Sequence, residues 1–97
     1  MNLSAIEDEV LGRCASDYEA PHTIAGDITR DIGRQVSEDE VRAAFLSLAS
    51  MGLVQSYVFE PSRGDYVPMS PSDASLQHEV WFLITADGRK TYESEAS

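Results

Sequence analysis

The chain has 97 residues, 42% of them apolar and 25% charged, with a formal net charge of −10. That length and apolar content suit one domain with a hydrophobic core and argue against a disordered tail. No apolar run approaches the ~20 residues of a membrane helix, and no basic start leads into an apolar stretch as in a secretion signal, so the expected location is the cytoplasm.

Acidity is spread along the whole chain. Residues 1–20 carry −4, and 21–52, 53–78 and 79–97 carry −2 each. Nucleic-acid binding relies on cations that displace condensed counterions, so this composition works against it, and against anionic membranes too. Solubility is the ordinary benefit of such a charge.

Leu3, Ile6, Val10, Leu11 and Cys14 recur at steps of three and four and predict a first helix over residues 3–17. Asn2 can cap it, or Ser4 with Glu7 in a capping box. Cys14 is the sole cysteine, so an internal disulfide is excluded, and its place on the apolar stripe predicts a buried, inert thiol. Pro21 belongs to the connection that follows. A second helix is expected from a Thr23 cap, with Ile24, Ile28 and Ile32 on one stripe and Gly33 as its stop. Three β-branched residues on that stripe are poor local helix formers, so packing must hold them.

The third helix has the clearest start. Ser37 and Glu40 fit a capping box, Val36 and Val41 a hydrophobic staple. Val41, Ala44, Phe45 and Leu48 form its buried face, and Gly52 closes it. Beyond Gly52 the period changes to two. Leu53–Glu60 reads as a strand and Glu79–Thr85 as its partner, joined by a long loop over 61–78 with three prolines and four serines. Asp87–Ser94 completes the chain as a short helix. The expected fold is α+β: three helices, a two-stranded hairpin covering their open side, and a short C-terminal helix, all in a single domain over 1–97.

Two stretches, TIAGDITRDIGRQVSEDEVRAAFLSLASMGLV (23–54) and WFLITADGRKTYE (81–93), make the chain resemble the winged helix-turn-helix domain of bacterial transcription regulators. The resemblance covers most of residues 3–94. It implies a non-enzymatic regulator, expected to be a homodimer, whose third helix enters the DNA major groove while the wing, residues 61–78, touches the backbone or the minor groove. The outward positions of that helix are Glu38, Asp39, Arg42, Ala43, Leu46, Ser47 and Ser50, and the DNA contacts would fall to Arg30, Arg34, Arg42 and Arg63. Base reading calls for Arg, Lys, Asn or Gln, and only Arg42 qualifies on the third helix. Glu38, Asp39 and Glu40 suit the positive end of a helix, but they repel phosphate there.

The strands support a different reading. If Val54, Ser56, Val58, Val80, Phe82 and Ile84 face the helices, then Tyr57, Phe59, Trp81 and Leu83 face outward. Such an apolar outer face suits a protein-interaction module that does not bind DNA. Alternatively, the 61–78 loop folds back and lays Tyr66, Val67 and Met69 over it. No enzyme motif is present: there is no G-x-S-x-G and no phosphate-cradling glycine loop. His22 and His78 lack a ligand pattern, so no metal or cofactor is expected. The tripeptides Arg63-Gly64-Asp65 and Asn2-Leu3-Ser4 match adhesion and glycosylation patterns, but they are short enough to arise by chance.

Overall fold

A computed structural model describes residues 3–74 and 79–96. Asn2, His78 and the end of the expected 61–78 loop lie outside the described residues. The elements run α1 (Ala5–Arg13), α2 (Pro21–Ile32), α3 (Glu38–Ser50), β1 (Val54–Glu60), β2 (Asp65–Met69), α4 (Pro71–Ala74), β3 (Trp81–Ile84) and α5 (Ala86–Ala96). The fold is α+β, with helices packed on a three-stranded antiparallel sheet of order β2-β1-β3.

Local chemistry sets the helix ends. Ser4 caps α1 and Ser37 caps α3, each accepting from the backbone N–H three residues on, while Glu7 and Glu40 reach back to the cap residue's own N–H. Each such cap contributes about 1 kcal/mol. Gly52, at φ +77°, lets α3 stop: its N–H bonds to the Ala49 carbonyl and the Leu53 N–H to the Leu48 carbonyl. These paired bonds satisfy carbonyls that a helix end would otherwise leave open.

Two helix boundaries differ from expectation. α1 ends at Arg13, not at residue 17, because the chain leaves the helix to run beside β3. The Cys14 carbonyl accepts from the Ile84 N–H at 3.1 Å, and Glu19 exchanges both backbone bonds with Phe82 at 2.9 and 2.7 Å. α2 begins at Pro21 rather than after a Thr23 cap. Proline suits a first helical position, where its missing N–H costs nothing. Thr23 lies inside the first turn, and its hydroxyl accepts from the Ala20 N–H at 3.1 Å.

The sheet corrects the expected two-stranded hairpin. β1 does pair with β3, Val54 opposite Ile84 and Tyr57 opposite Trp81. The intervening segment, however, is not a plain loop. Gly64, at φ +63°, turns the chain sharply after Glu60, so that Asp65–Met69 returns as β2 along the other side of β1.

The core lies between the helices and the inner face of the sheet. Val10, Leu11, Ile24, Ile28, Val41, Phe45 and Leu48 are buried, as are Val54, Val80 and Phe82 from the sheet side. Ile32 and Ile84 pack partly buried against them. Phe45 and Phe82 stack with centroids 4.2 Å apart and planes 5° from parallel, which ties α3 to β3. Burying each such ring contributes roughly 1.5–3 kcal/mol. Among the described residues, Ser56 is the buried polar side chain of this core, and its hydroxyl donates to the Met69 carbonyl at 2.8 Å.

The start of α5 is fixed by close contact. Thr85 donates its hydroxyl to the Gly52 carbonyl at 2.7 Å and accepts from the Gly88 N–H at 3.0 Å. A Cβ on Gly88 would lie 1.9 Å from the Leu53 carbonyl oxygen. Only glycine lets the helix seat there.

Candidate functional site

The outward side of α3 is acidic at its start and small along its length. Glu38, Asp39, Ala43, Ser47 and Ser50 are exposed, while Arg42 and Leu46 are half-buried. Leu46 packs against the core instead of facing outward freely. Ser47 donates to the Glu7 carboxylate at 2.8 Å, tying α3 to α1. The Ser4 backbone N–H and that hydroxyl hold the Glu7 carboxyl below the usual carboxylate range.

The four arginines considered for DNA sit in different local settings. Arg42 donates to the Ala74 carbonyl at 2.9 Å, which turns it toward α4. Arg34 bonds the Glu40 carboxylate at 3.1 Å and the Gln35 carbonyl at 3.0 Å. Arg30 is 75% exposed and pairs with Asp27. Arg63 sits exposed in the turn between β1 and β2. Exposed ion pairs hold by less than about 1 kcal/mol, so Arg30 and Arg34 are not locked. Each nonetheless has a carboxylate partner within the chain, Asp27 for Arg30 and Glu40 for Arg34, and Glu38 and Asp39 precede Glu40 in the sequence.

The outer face of the sheet is organised differently. The register puts Gln55 opposite Leu83, Tyr57 opposite Trp81 and Phe59 opposite Tyr66, so Tyr57, Phe59, Trp81 and Leu83 share one face. Tyr66 is the hub of the cluster. Its ring centroid lies 4.0 Å from Tyr18 with planes 11° apart, 5.3 Å from Phe59 and 5.9 Å from Trp81. Tyr18 also meets Tyr57 edge-on at 5.0 Å, and His22 meets Trp81 at 5.7 Å. Burial, with Tyr18 alongside, raises the Tyr57 hydroxyl pKa. Phe59 is 44% exposed, and Tyr18, Tyr57, Tyr66, Trp81 and Leu83 are half-buried.

The expected fold-back of the 61–78 segment takes a different form. Tyr66 widens the aromatic face as part of β2, while Met69 packs against the core from the other side. Tyr18 is absent from the sequence expectation, and Tyr66 enters it only through the fold-back of 61–78. The turn at Gly64 after Pro61-Ser62-Arg63 is the signal for Tyr66. Tyr18 carries none, because it stands in a connection without periodicity.

Elsewhere the chemistry is quiet. Burial pushes the Cys14 thiol up to about 12, and its sulfur lies 3.5 Å from the Leu11 carbonyl, as suits an unreactive core residue. Among the described residues, no group of three or more His, Cys, Asp or Glu is placed to hold a metal ion, and no helix is long and apolar enough to cross a membrane. Comparison with protein-family models, curated proteins and solved structures found no match.

Proposed function

We propose that the chain is a winged helix-turn-helix domain of regulator type that works by protein contact through the outer face of its sheet, not by carrying α3 into duplex DNA. The order of three helices followed by an antiparallel hairpin on the same core supports the winged-helix assignment, with β1–β2 as the wing. The observation that carries the functional reading is the aromatic layer of Tyr18, Tyr57, Phe59, Tyr66 and Trp81 on one solvent-facing surface. Rigid aromatics are the residues that anchor protein interfaces, since they bury much area and lose little rotamer freedom. The engagement of Arg30, Arg34 and Arg42 with groups of the chain itself supports the same reading over DNA binding.

A random peptide library displayed on phage and panned against the chain tests this, with Phe59→Ser as the counter-screen. Peptides that hold the native chain and lose the variant are expected. In parallel, duplex genomic fragments at low salt should show no retention. Duplex binding that falls steeply with added salt and is abolished by Arg63→Glu would restore the DNA reading. Selected peptides indifferent to Phe59→Ser would remove the outer face as the site.

A further inference from the structure

The register keeps charge off the outer face of the sheet. The outer positions of β1 are Gln55, Tyr57 and Phe59. Opposite them stand Leu83, Trp81 and Tyr66, none of them charged, with Pro68 on the other side of Tyr57. The strands contain two acids, Glu60 and Asp65. These pair with each other and fall in line with Val58, Val67 and buried Ser56, which belong to the opposite face. Glu19 likewise stands opposite buried Phe82. A chain of net charge −10 thus carries an aromatic sheet face without a strand carboxylate on it.

The polar groups left on that face suit a copy of themselves. Gln55 donates its amide N–H groups to the Ser56 and Met69 carbonyls, at 3.0 and 2.9 Å. Tyr18, Tyr57 and Tyr66 each end in a hydroxyl, and no described residue hydrogen-bonds to any of the three. A hydroxyl both donates and accepts, so tyrosines can satisfy tyrosines across a contact. Charges of one sign cannot do this. A two-fold contact sets the same patch of each copy against the other and therefore needs such self-complementarity. It also needs the acids of two −10 chains kept apart, and contact here leaves Glu60 and Asp65 of both copies off the shared surface. A partner of opposite charge would find no strand carboxylate on this face, and the strands offer nucleic acid no Lys or Arg.

The size of the face sets the strength of such a pair. β1 rises about 14 Å from Gln55 to Phe59, and the Tyr18 segment, β3, β1 and β2 span another ~14 Å across. With side chains this is on the order of 400 Å² per copy, below the ~800 Å² of a standard stable interface, so the pair is weak and governed by concentration. We infer that the outer sheet face is the contact between two copies of this chain. The sheets would pack face to face about 10 Å apart. Phe59, 44% exposed in the single chain, is the ring with most cover to gain. This inference rests on the interaction reading above and names its partner.

Sedimentation equilibrium of the whole chain, from roughly 10 µM to roughly 1 mM, tests this. The average mass should climb from one chain toward two, and emission from Trp81, the only tryptophan, should shift over the same range. Added salt should strengthen the pair, because it screens −10 against −10. Phe59→Ser and Pro68→Glu should each raise the concentration needed about tenfold or more, and Tyr92→Ser by less than about threefold. Pro68 is exposed and has no ladder N–H to lose, so its replacement spares the strand pairing. Tyr92 is the control because it is an aromatic of similar exposure, 38%, seated against Gly12 of α1. Circular dichroism confirms that each variant folds. A pair indifferent to both face variants, equal losses with Tyr92→Ser, or association that weakens steeply with added salt would overturn the inference. A chain that stays single throughout yet holds display peptides through Phe59 would overturn it while leaving the interaction reading intact. A single chain whose peptides ignore Phe59 would remove both.

Discussion

Phe82 and Phe59 are both strand phenylalanines, and they stand on opposite faces of one small sheet. Phe82 is fully buried and lies flat on Phe45; Phe59 is 44% exposed and meets Tyr66 edge-on. The inner face is filled from three helices. The outer face is covered by its own aromatics and by Tyr18 from the α1–α2 connection. A fold needs the first arrangement. The second exceeds what a sheet requires on its solvent side, where alternating polar residues would serve. That surplus of apolar surface is what the proposed contact reading rests on.

That contrast can be broken by measurement. The largest effect is expected from Phe82→Ala, which should cost about 3–5 kcal/mol in urea unfolding, because it empties a packed stack against Phe45. Gly88→Ala should follow at about 1–3 kcal/mol, since the new methyl meets the Leu53 backbone carbonyl rather than a side chain that could move. Phe59→Ala should cost about 1 kcal/mol or less, its ring being partly in water and held by one edge-on neighbour. If Phe59→Ala proves as costly as Phe82→Ala, the outer aromatics are a second core and the contact reading weakens.

The smallest expected effect is on acid stability, and it arises away from the sheet. The Ser4 backbone N–H holds Glu7 low, the Ser37 backbone N–H holds Glu40 low, and Arg13 holds Asp31 low. Carboxyls lowered in the folded state contribute fully above their unfolded values, 4.5 for Glu and 3.8 for Asp, and that stability is lost as pH falls through the lowered folded values. Glu9 acts in the opposite sense, raised by burial and by Asp31. Glu7→Gln should therefore give a shallower acid limb in thermal unfolding, and Phe59→Ala should leave that limb unchanged.

Much of the helical part was legible in the residues. The Ser4–Glu7 and Ser37–Glu40 boxes, the Val36–Val41 staple and the Ile24–Ile28 stripe each state their role locally, and the structure places them as read. The sheet was legible only in part. Strands 53–60 and 79–85 announce themselves by alternation, and their pairing follows. The strand at 65–69 was hidden because proline and serine dominate its surroundings, and the turn at Gly64 was the cue that outweighs them. The end of α1 depends on a backbone bond from Ile84 to Cys14, seventy residues apart in the chain, and no local signal encodes it. The outer face followed the same division. Its four strand residues came from alternation, while Tyr18 joined them only through tertiary contact. The fate of the arginines was equally non-local, since Arg42 meets Ala74 across thirty-two residues.

The lacing of Cys14 and Glu19 along β3 has a consequence for how molecules behave when crowded. Strand-by-strand growth into fibrils needs a row of free amides and carbonyls at a sheet margin, ready to template another chain. On the β3 side that row is already taken by the molecule's own α1–α2 connection. On the β2 side Pro68 contributes no N–H and Asp65 places a charge at the strand's beginning. The protein can thus display an aromatic surface to solvent while denying its neighbours a backbone to extend.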